Sequence, residues 1–210
     1  ETEEKGKISS LRIFQPGDHI NYKVTGFINQ GSGDIPIFGT AQFKLLDGTQ
    51  KDYYGNTCKI CRMTMDFTAV GKDRSAKVKR SVDQYYTQDA NGSMMFHGTK
   101  NNEGVLALVK TPSTGWYYGD KCPFSIHESS TQNVLYTDGS SQNRTDMILG
   151  VEEISVPAGT FNAYKTISNT LTTKADSSKI QGTETTWLVP KIGPIRSNLE
   201  YPSDKGAAKL

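Results

Sequence analysis

Apolar and polar positions alternate in short runs along most of this chain. In DHINYKVTGFI (18–28), Ile20, Tyr22, Val24 and Ile28 share one parity, and His19, Asn21, Lys23 and Thr25 share the other. RMTMDFTAV (62–70) sets Met63, Met65, Phe67 and Ala69 against Arg62, Thr64, Asp66 and Thr68. IRSNLEY (195–201) and TETTWLV (183–189) repeat the pattern, the second with Thr185, Trp187 and Val189 on one side. A period of two sends successive side chains to opposite faces, so each run predicts a half-buried strand of an antiparallel sheet. No long 3.6-residue period competes with it.

The connectors agree with this reading. QDANGSM (88–94) places Asn91-Gly92 between two strand-like runs, a strong hairpin signal. LLDGTQ (45–50) and YTDGSSQ (136–142) carry Asp-Gly turns, and VPKIGPI (189–195) is a short Pro- and Gly-containing link. NEGVLALVKT (102–111) has apolar residues of both parities; its shortness and the Pro112 that follows favour a buried strand over a helix. The expectation is an all-β fold: a strongly curved antiparallel sheet or incomplete β-barrel of about ten strands. A short helix is a candidate filler of its concave side. Residues 1–12 read as a polar N-terminal lead, 13–203 as a single antiparallel β domain, and 204–210 as a C-terminal tail.

One stretch breaks the alternation and resumes it at once: VEEISVPAGTFNAYKTIS (151–168). Ile154 and Val156 are expected to face inward, with Glu153 and Ser155 outward. Pro157 cannot donate a ladder hydrogen bond, and Gly159 tolerates a positive φ, so Pro-Ala-Gly predicts a tight corner between two strands. The second strand is expected to put Phe161 and Ile167 on the core face, and Tyr164, Thr166 and Ser168 opposite.

V-P-A-G-T-F followed by a strand, and then TTWLVPKIGPIRS, resembles an uncharacterised family of bacterial secreted proteins and lipoproteins. FQPGDHINYKV (14–24) is similar to that family's opening strand, and YYTQDANGSMMFHG (85–98) to its central hairpin. The chain departs from the family at the opening strand, where Tyr22 stands nearest to the usual Trp. The resemblance implies a curved antiparallel sheet, distantly like the lipoprotein-carrier half-barrels that hold acyl chains. It also implies an address in the bacterial envelope: periplasmic, anchored at the outer membrane, or secreted. It brings no catalytic residues and no cofactor.

Composition narrows the partners. A net charge of +2 over 210 residues is too small to imply nucleic acid or acidic lipid as the main partner. No apolar stretch approaches the roughly 20 residues of a membrane-spanning helix. The basic run GKDRSAKVKR (71–80) offers Lys72, Arg74, Lys77 and Lys79 to an anionic partner, or simply a solvated hairpin edge that resists edge-to-edge pairing. The aromatic set GWYYGD (115–120) suits either a pocket rim or a cap over the sheet's open end. Tyr22, Phe67, Trp116 and Trp187 are the candidate groove or rim aromatics.

Three cysteines, Cys58, Cys61 and Cys122, are disulfide candidates in an oxidising envelope. Cys58 and Cys61 have the C-x-x-C spacing, but Cys61 leads into a strand pattern, not the helix that a redox thiolate needs. A zinc site on that motif needs two more ligands, from Cys122 with His97 or His127, and no metal is expected. Three histidines leave a Ser-His-Asp arrangement open, because such groups meet in space. No G-x-S-x-G elbow, H-E-x-x-H or phosphate-binding loop occurs. The reading is a non-enzymatic envelope protein that binds an apolar or acyl ligand in the curve of its sheet. The alternatives are an interaction or scaffold module for another envelope protein, and a hydrolase with an unrecognised site.

Overall fold

The alternating runs form strands where the pattern places them. The structure, a computed structural model, describes residues 7–8, 12–29, 34–71, 75–110, 124–203 and 206–209. In chain order the strands are β1 (Lys7–Ile8), β2 (His19–Asn29), β3 (Asp34–Lys51), β4 (Thr57–Val70), β5 (Ser75–Gln88), β6 (Met94–Asn101) and β7 (Leu106–Leu108). They continue with β8 (Phe124–Ser125), β9 (Ser129–Leu135), β10 (Ser141–Val156), β11 (Gly159–Thr173), β12 (Lys179–Val189), β13 (Gly193–Ser203) and β14 (Gly206–Lys209). Among the described residues there is no helix, so the expected short helix in the concave side is not found there.

Twelve strands make one antiparallel sheet in the order β7-β6-β5-β4-β3-β2-β14-β13-β12-β11-β10-β9, and β1 pairs with β8 in a separate two-stranded sheet. The sheet is therefore two meanders, β2–β7 and β9–β13, joined by β14. Residues 206–209, expected in a tail, pair with β13 on one side and with Phe27 and Ile28 of β2 on the other. Among the described residues the far edges meet at one bridge, Val109 with Tyr136. There the Lys110 N–H donates to the Leu135 carbonyl at 2.7 Å, and the Thr137 N–H to the Leu108 carbonyl at 2.9 Å. Phe96, Val109 and Val134 pack beneath that contact. The curl closes at a point, not along a ladder, and so the sheet is not a barrel.

Register explains the turns. Pro157 and Ala158 are the two loop residues between β10 and β11, with Val156 opposite Gly159. Asn91-Gly92 lies in the β5–β6 turn, where the Gly92 N–H donates to the Asp89 carbonyl. Asp47-Gly48, expected as a turn, instead lies inside β3, in a bulge that shifts the register between Leu45 and Thr49. The reversal falls later, at residues 52–56, because the Asp52 carboxylate accepts the Tyr54 and Asn56 N–H groups and stabilises a turn there.

Both faces are partly buried. Ile37, Leu45, Tyr86 and Leu188 lie 5% exposed or less on the inner face. On the β10–β11 hairpin the expected orientation is reversed: Tyr164, Thr166 and Ser168 are buried, while Ile167 is only half-buried. Burying the Thr166 and Ser168 hydroxyls is tolerated because both are hydrogen-bonded, Thr166 to the Thr186 carbonyl and Ser168 to Arg144 and Asp146, while Tyr164 packs against Ile148 and Leu188. The other face of that hairpin is covered too, by Ile154, Ala163 and Trp187 packed together.

Gly39 of β3 lies opposite Phe67 of β4. A Cβ there would meet the Asp66 carbonyl oxygen at 2.1 Å and the Phe67 Cα at 2.5 Å, so the two backbones approach only because Gly39 has no side chain. Gly39→Ala is expected to destabilise the fold by about 1–3 kcal/mol. Gly48→Ala, whose Cβ would meet only the Ile60 Cδ1 at 3.6 Å, is expected to be near neutral. Urea unfolding of the two variants checks the contrast.

Candidate functional site

Ile20, Tyr22 and Phe43 share the inner face with Leu45 and Cys61, since Ile20 pairs with Phe43 and Leu45 with Cys61 across the ladder. With Tyr86, Met94, Leu188, Gly193 and Pro194 they line a cavity of about 80 Å³. These residues come from strands far apart in the sheet order, which identifies this face as the inside of the curl. The Tyr22 hydroxyl donates to the Pro194 carbonyl at 2.6 Å and ties the two meanders together. Burial pushes the Tyr22 and Tyr86 phenols well above their ordinary range, so both remain neutral donors.

A strap of residues 12–18 crosses one end of the cavity and adds Phe14 to its wall. The Arg12 N–H donates to the Pro190 carbonyl at 2.8 Å, and the Phe14 N–H to Gln88 Oε1 at 3.0 Å. Lys59 Nζ donates to the Phe14 carbonyl at 2.9 Å. Arg12 and Asp18 pair at 3.0 Å beside the exposed His19, so the rim is charged where the wall is apolar.

The predicted site residues disperse. Tyr22 lines the cavity. Phe67 shares the inner face but lies along β4 beyond the lining residues. Trp187 is on the opposite face: its ring sits beneath Lys165 Nζ at 5.3 Å and Arg196 Cζ at 4.9 Å, and its indole N–H donates to Glu152 at 2.5 Å. That hydrogen bond, with Lys165 and Arg196 nearby, holds the Glu152 carboxyl below its usual range. Trp116, Lys72, Arg74 and Cys122 lie outside the described residues, while Lys77 and Lys79 are exposed on β5.

The disulfide expectation is corrected for Cys58 and Cys61, which are free thiols. Three residues of extended strand separate their Cα atoms by roughly 10 Å, past the ~7 Å limit for a bridge. Odd spacing also sends them to opposite faces of β4. Burial pushes each thiol up to about 11, so neither is a ready nucleophile near neutral pH.

Two polar constellations were missed in the sequence. Inside the curl, Arg144 Nε donates to both Asp146 oxygens at 2.8 and 3.0 Å, and Arg144 Nη2 donates to Ser168 Oγ at 2.8 Å. Ser168 in turn donates to Asp146. Glu184 lies in the same region, and burial raises its pKa against the opposing pull of Arg144 and of hydrogen bonds from Thr186 and Ser197. The only sequence signal was the parity of Arg144 and Asp146, two apart on one strand. On the outer face, Asp52, Cys58 and His97 converge, with His97 Nδ1 3.0 Å from Asp52 Oδ2 and His97 Nε2 3.0 Å from Thr87 Oγ1. Burial disfavours the Asp52 charge, but hydrogen bonds from Asn56 and Tyr54 and the proximity of His97 more than offset it, so its pKa is lowered.

The fold and site together define an antiparallel meander curled about a small apolar cavity. A DUF3108-like family model matches residues 125–205, the stretch that holds β9–β13 and the Val156–Phe161 segment. No curated protein matches the chain. Two solved structures are similar over nearly its whole length. One is a Bacteroides fragilis protein named as exported and of YmcC-like fold, with TM-score 0.39 and 10% identity over 96% of this chain and 97% of that one. The other is a Parabacteroides distasonis protein named as a lipoprotein, with TM-score 0.36 and 12% identity over 99% of this chain and 98% of that one.

Two outcomes follow from the internal network. Asp146→Ala removes the carboxylate that accepts two hydrogen bonds from the buried Arg144 guanidinium and is expected to cost about 3–5 kcal/mol in chemical unfolding. For Glu184, a folded-state pKa above the unfolded value of about 4.3 means its stabilising contribution is complete below that pH and is lost as pH rises through the folded pKa. The stability of the native chain relative to Glu184→Gln is therefore expected to fall across that window, read from paired unfolding curves at several pH values.

Proposed function

We propose that this chain is a non-enzymatic protein of the bacterial cell envelope that holds the apolar end of an amphiphilic ligand in the curl of its sheet. The observation that carries the reading is the cavity, with an almost entirely apolar wall and a rim carrying Arg12, Asp18 and His19. An apolar pocket with a few polar groups at its mouth favours a ligand of the same polarity pattern. Size sets the stoichiometry of the contact. A dry apolar cavity of about 150 Å³ holds a benzene, so about 80 Å³ accommodates the tip of an acyl chain and not its whole length. The envelope address is supported by the sequence resemblance around V-P-A-G-T-F.

Protein purified without detergent is expected to bind a fluorescent fatty acid. Leu188→Trp, or Met94→Trp at a less buried position of the wall, is expected to weaken binding at least tenfold with the circular dichroism unchanged. A native chain that binds no such probe rejects the reading, and a stable protein partner recovered from the native host in its place supports an interaction module.

A second reading, a hydrolase, is favoured by one observation: the carboxylate–imidazole–hydroxyl chain of Asp52, His97 and Thr87. That order of groups activates a nucleophile in hydrolases. A screen of generic ester, glycoside and phosphate substrates tests it; turnover that disappears in Thr87→Ala supports the hydrolase, and none in the native chain removes it.

A further inference from the structure

We propose that Asp52, Cys58 and His97 form a zinc-binding site on the outer face of the sheet, where the 52–56 turn meets β4 and β6. The three donor atoms all lie within 4.8 Å of one another, the one such convergence of Cys, His and carboxylate among the described residues. Zinc binds sulfur at about 2.3 Å and nitrogen or oxygen at about 2.0–2.2 Å, so donors on one ion stand no more than ~4.5 Å apart. Side-chain movement of about 1 Å or less brings this set to a tetrahedral arrangement. The mixture of thiolate, imidazole and carboxylate suits zinc over magnesium or calcium, which take all-oxygen shells.

The surroundings are those of a built site. Cys58 is 0% exposed and Asp52 7%, so two of the three donors are withdrawn from solvent. Thr87 Oγ1, 3.0 Å from His97 Nε2, accepts that N–H when Nδ1 carries the metal, which fixes the ring and its tautomer. Asp52 Oδ1 is pinned by the Tyr54 and Asn56 N–H groups at 2.9 and 2.7 Å, while Oδ2 accepts from Asn56 Nδ2 at 3.0 Å and faces His97 Nδ1 at 3.0 Å, with lone-pair capacity left for an ion. On binding, the ion takes the place of the Nδ1 proton that His97 directs at Asp52 Oδ2, the ring keeps its one proton at Nε2, and the Cys58 thiol gives up its proton to solvent. A water or the Asn56 carbonyl oxygen, 3.8 Å from Cys58 Sγ, completes the coordination. The C-x-x-C motif thus supplies one ligand, with Cys61 on the far face of the strand. The site lies on the face opposite the cavity, so it stands or falls independently of ligand binding there.

Cobalt(II) is the probe, because a cobalt–thiolate bond gives a charge-transfer absorption that carboxylate and imidazole alone do not. The reduced full chain is expected to bind one equivalent of cobalt(II) with that band, and zinc is expected to displace it and raise Tm. Cys58→Ser is expected to lose the band and to weaken zinc binding at least tenfold. His97→Gln is expected to weaken zinc binding similarly. A Cys61→Ser/Cys122→Ser double variant, in which Cys58 is the sole thiol, is expected to retain the band. Circular dichroism confirms that each variant is folded. Absence of the band in the native chain, its persistence in Cys58→Ser, or its loss in the folded double variant overturns the assignment.

Discussion

The architecture depends on one short backbone seam, in which β14 pairs with residues 200–203 of β13 and with Phe27 and Ile28 of β2. Without that short strand the two meanders would each present a bare edge, β2 on one side and β13 on the other, and exposed edges are sites of unwanted pairing. β14 covers the Phe27–Ile28 end of the β2 edge and the 200–203 end of the β13 edge. The Val109–Tyr136 bridge draws the opposite edges together. The curl, the enclosed face and the cavity all follow from those two seams.

The inside of the curl is heterogeneous, and the division follows the strands. On β2–β5 it is apolar: Ile37, Leu45 and Tyr86 are nearly inaccessible and the cavity opens among their neighbours. On β10–β12 it is polar, with Arg144, Asp146, Ser168 and Thr186 all 5% exposed or less. A buried ion pair is weak evidence for stability in itself, because desolvation offsets much of the attraction. Its physical effect here is directional: the Ser168 hydroxyl of β11 reaches both Arg144 and Asp146 of β10 only when the two strands are in one register, in which Ser168 stands opposite Asp146. A one-residue slip would turn those groups to the other face.

Strand identity was legible in the sequence because parity is a local property. Ile20, Tyr22 and Val24 are half-buried while His19, Asn21 and Lys23 are exposed, as their alternation predicts. Facing was less legible where both sides are covered. Tyr164, Thr166 and Ser168 look like an outer face, and only their distant partners Arg144 and Asp146 show why they lie inside. The Asp47-Gly48 turn failed for a related reason: a bulge absorbs the same residues without reversing the chain. Of the candidate site, Tyr22 could be named from its strand alone. Asp52, Thr87 and His97 could not, since they come from a turn and two strands and meet only through the sheet's register.

The strap over the cavity has a mechanical consequence. Residues 12–18 are fastened to Pro190 on one meander, and to Leu45, Lys59 and Gln88 on the other. They cannot follow either half outward without parting from its neighbour. Prising the two meanders apart therefore requires the strap to part from one of them, so it acts as a clasp added to the seams at β14 and at Val109–Tyr136.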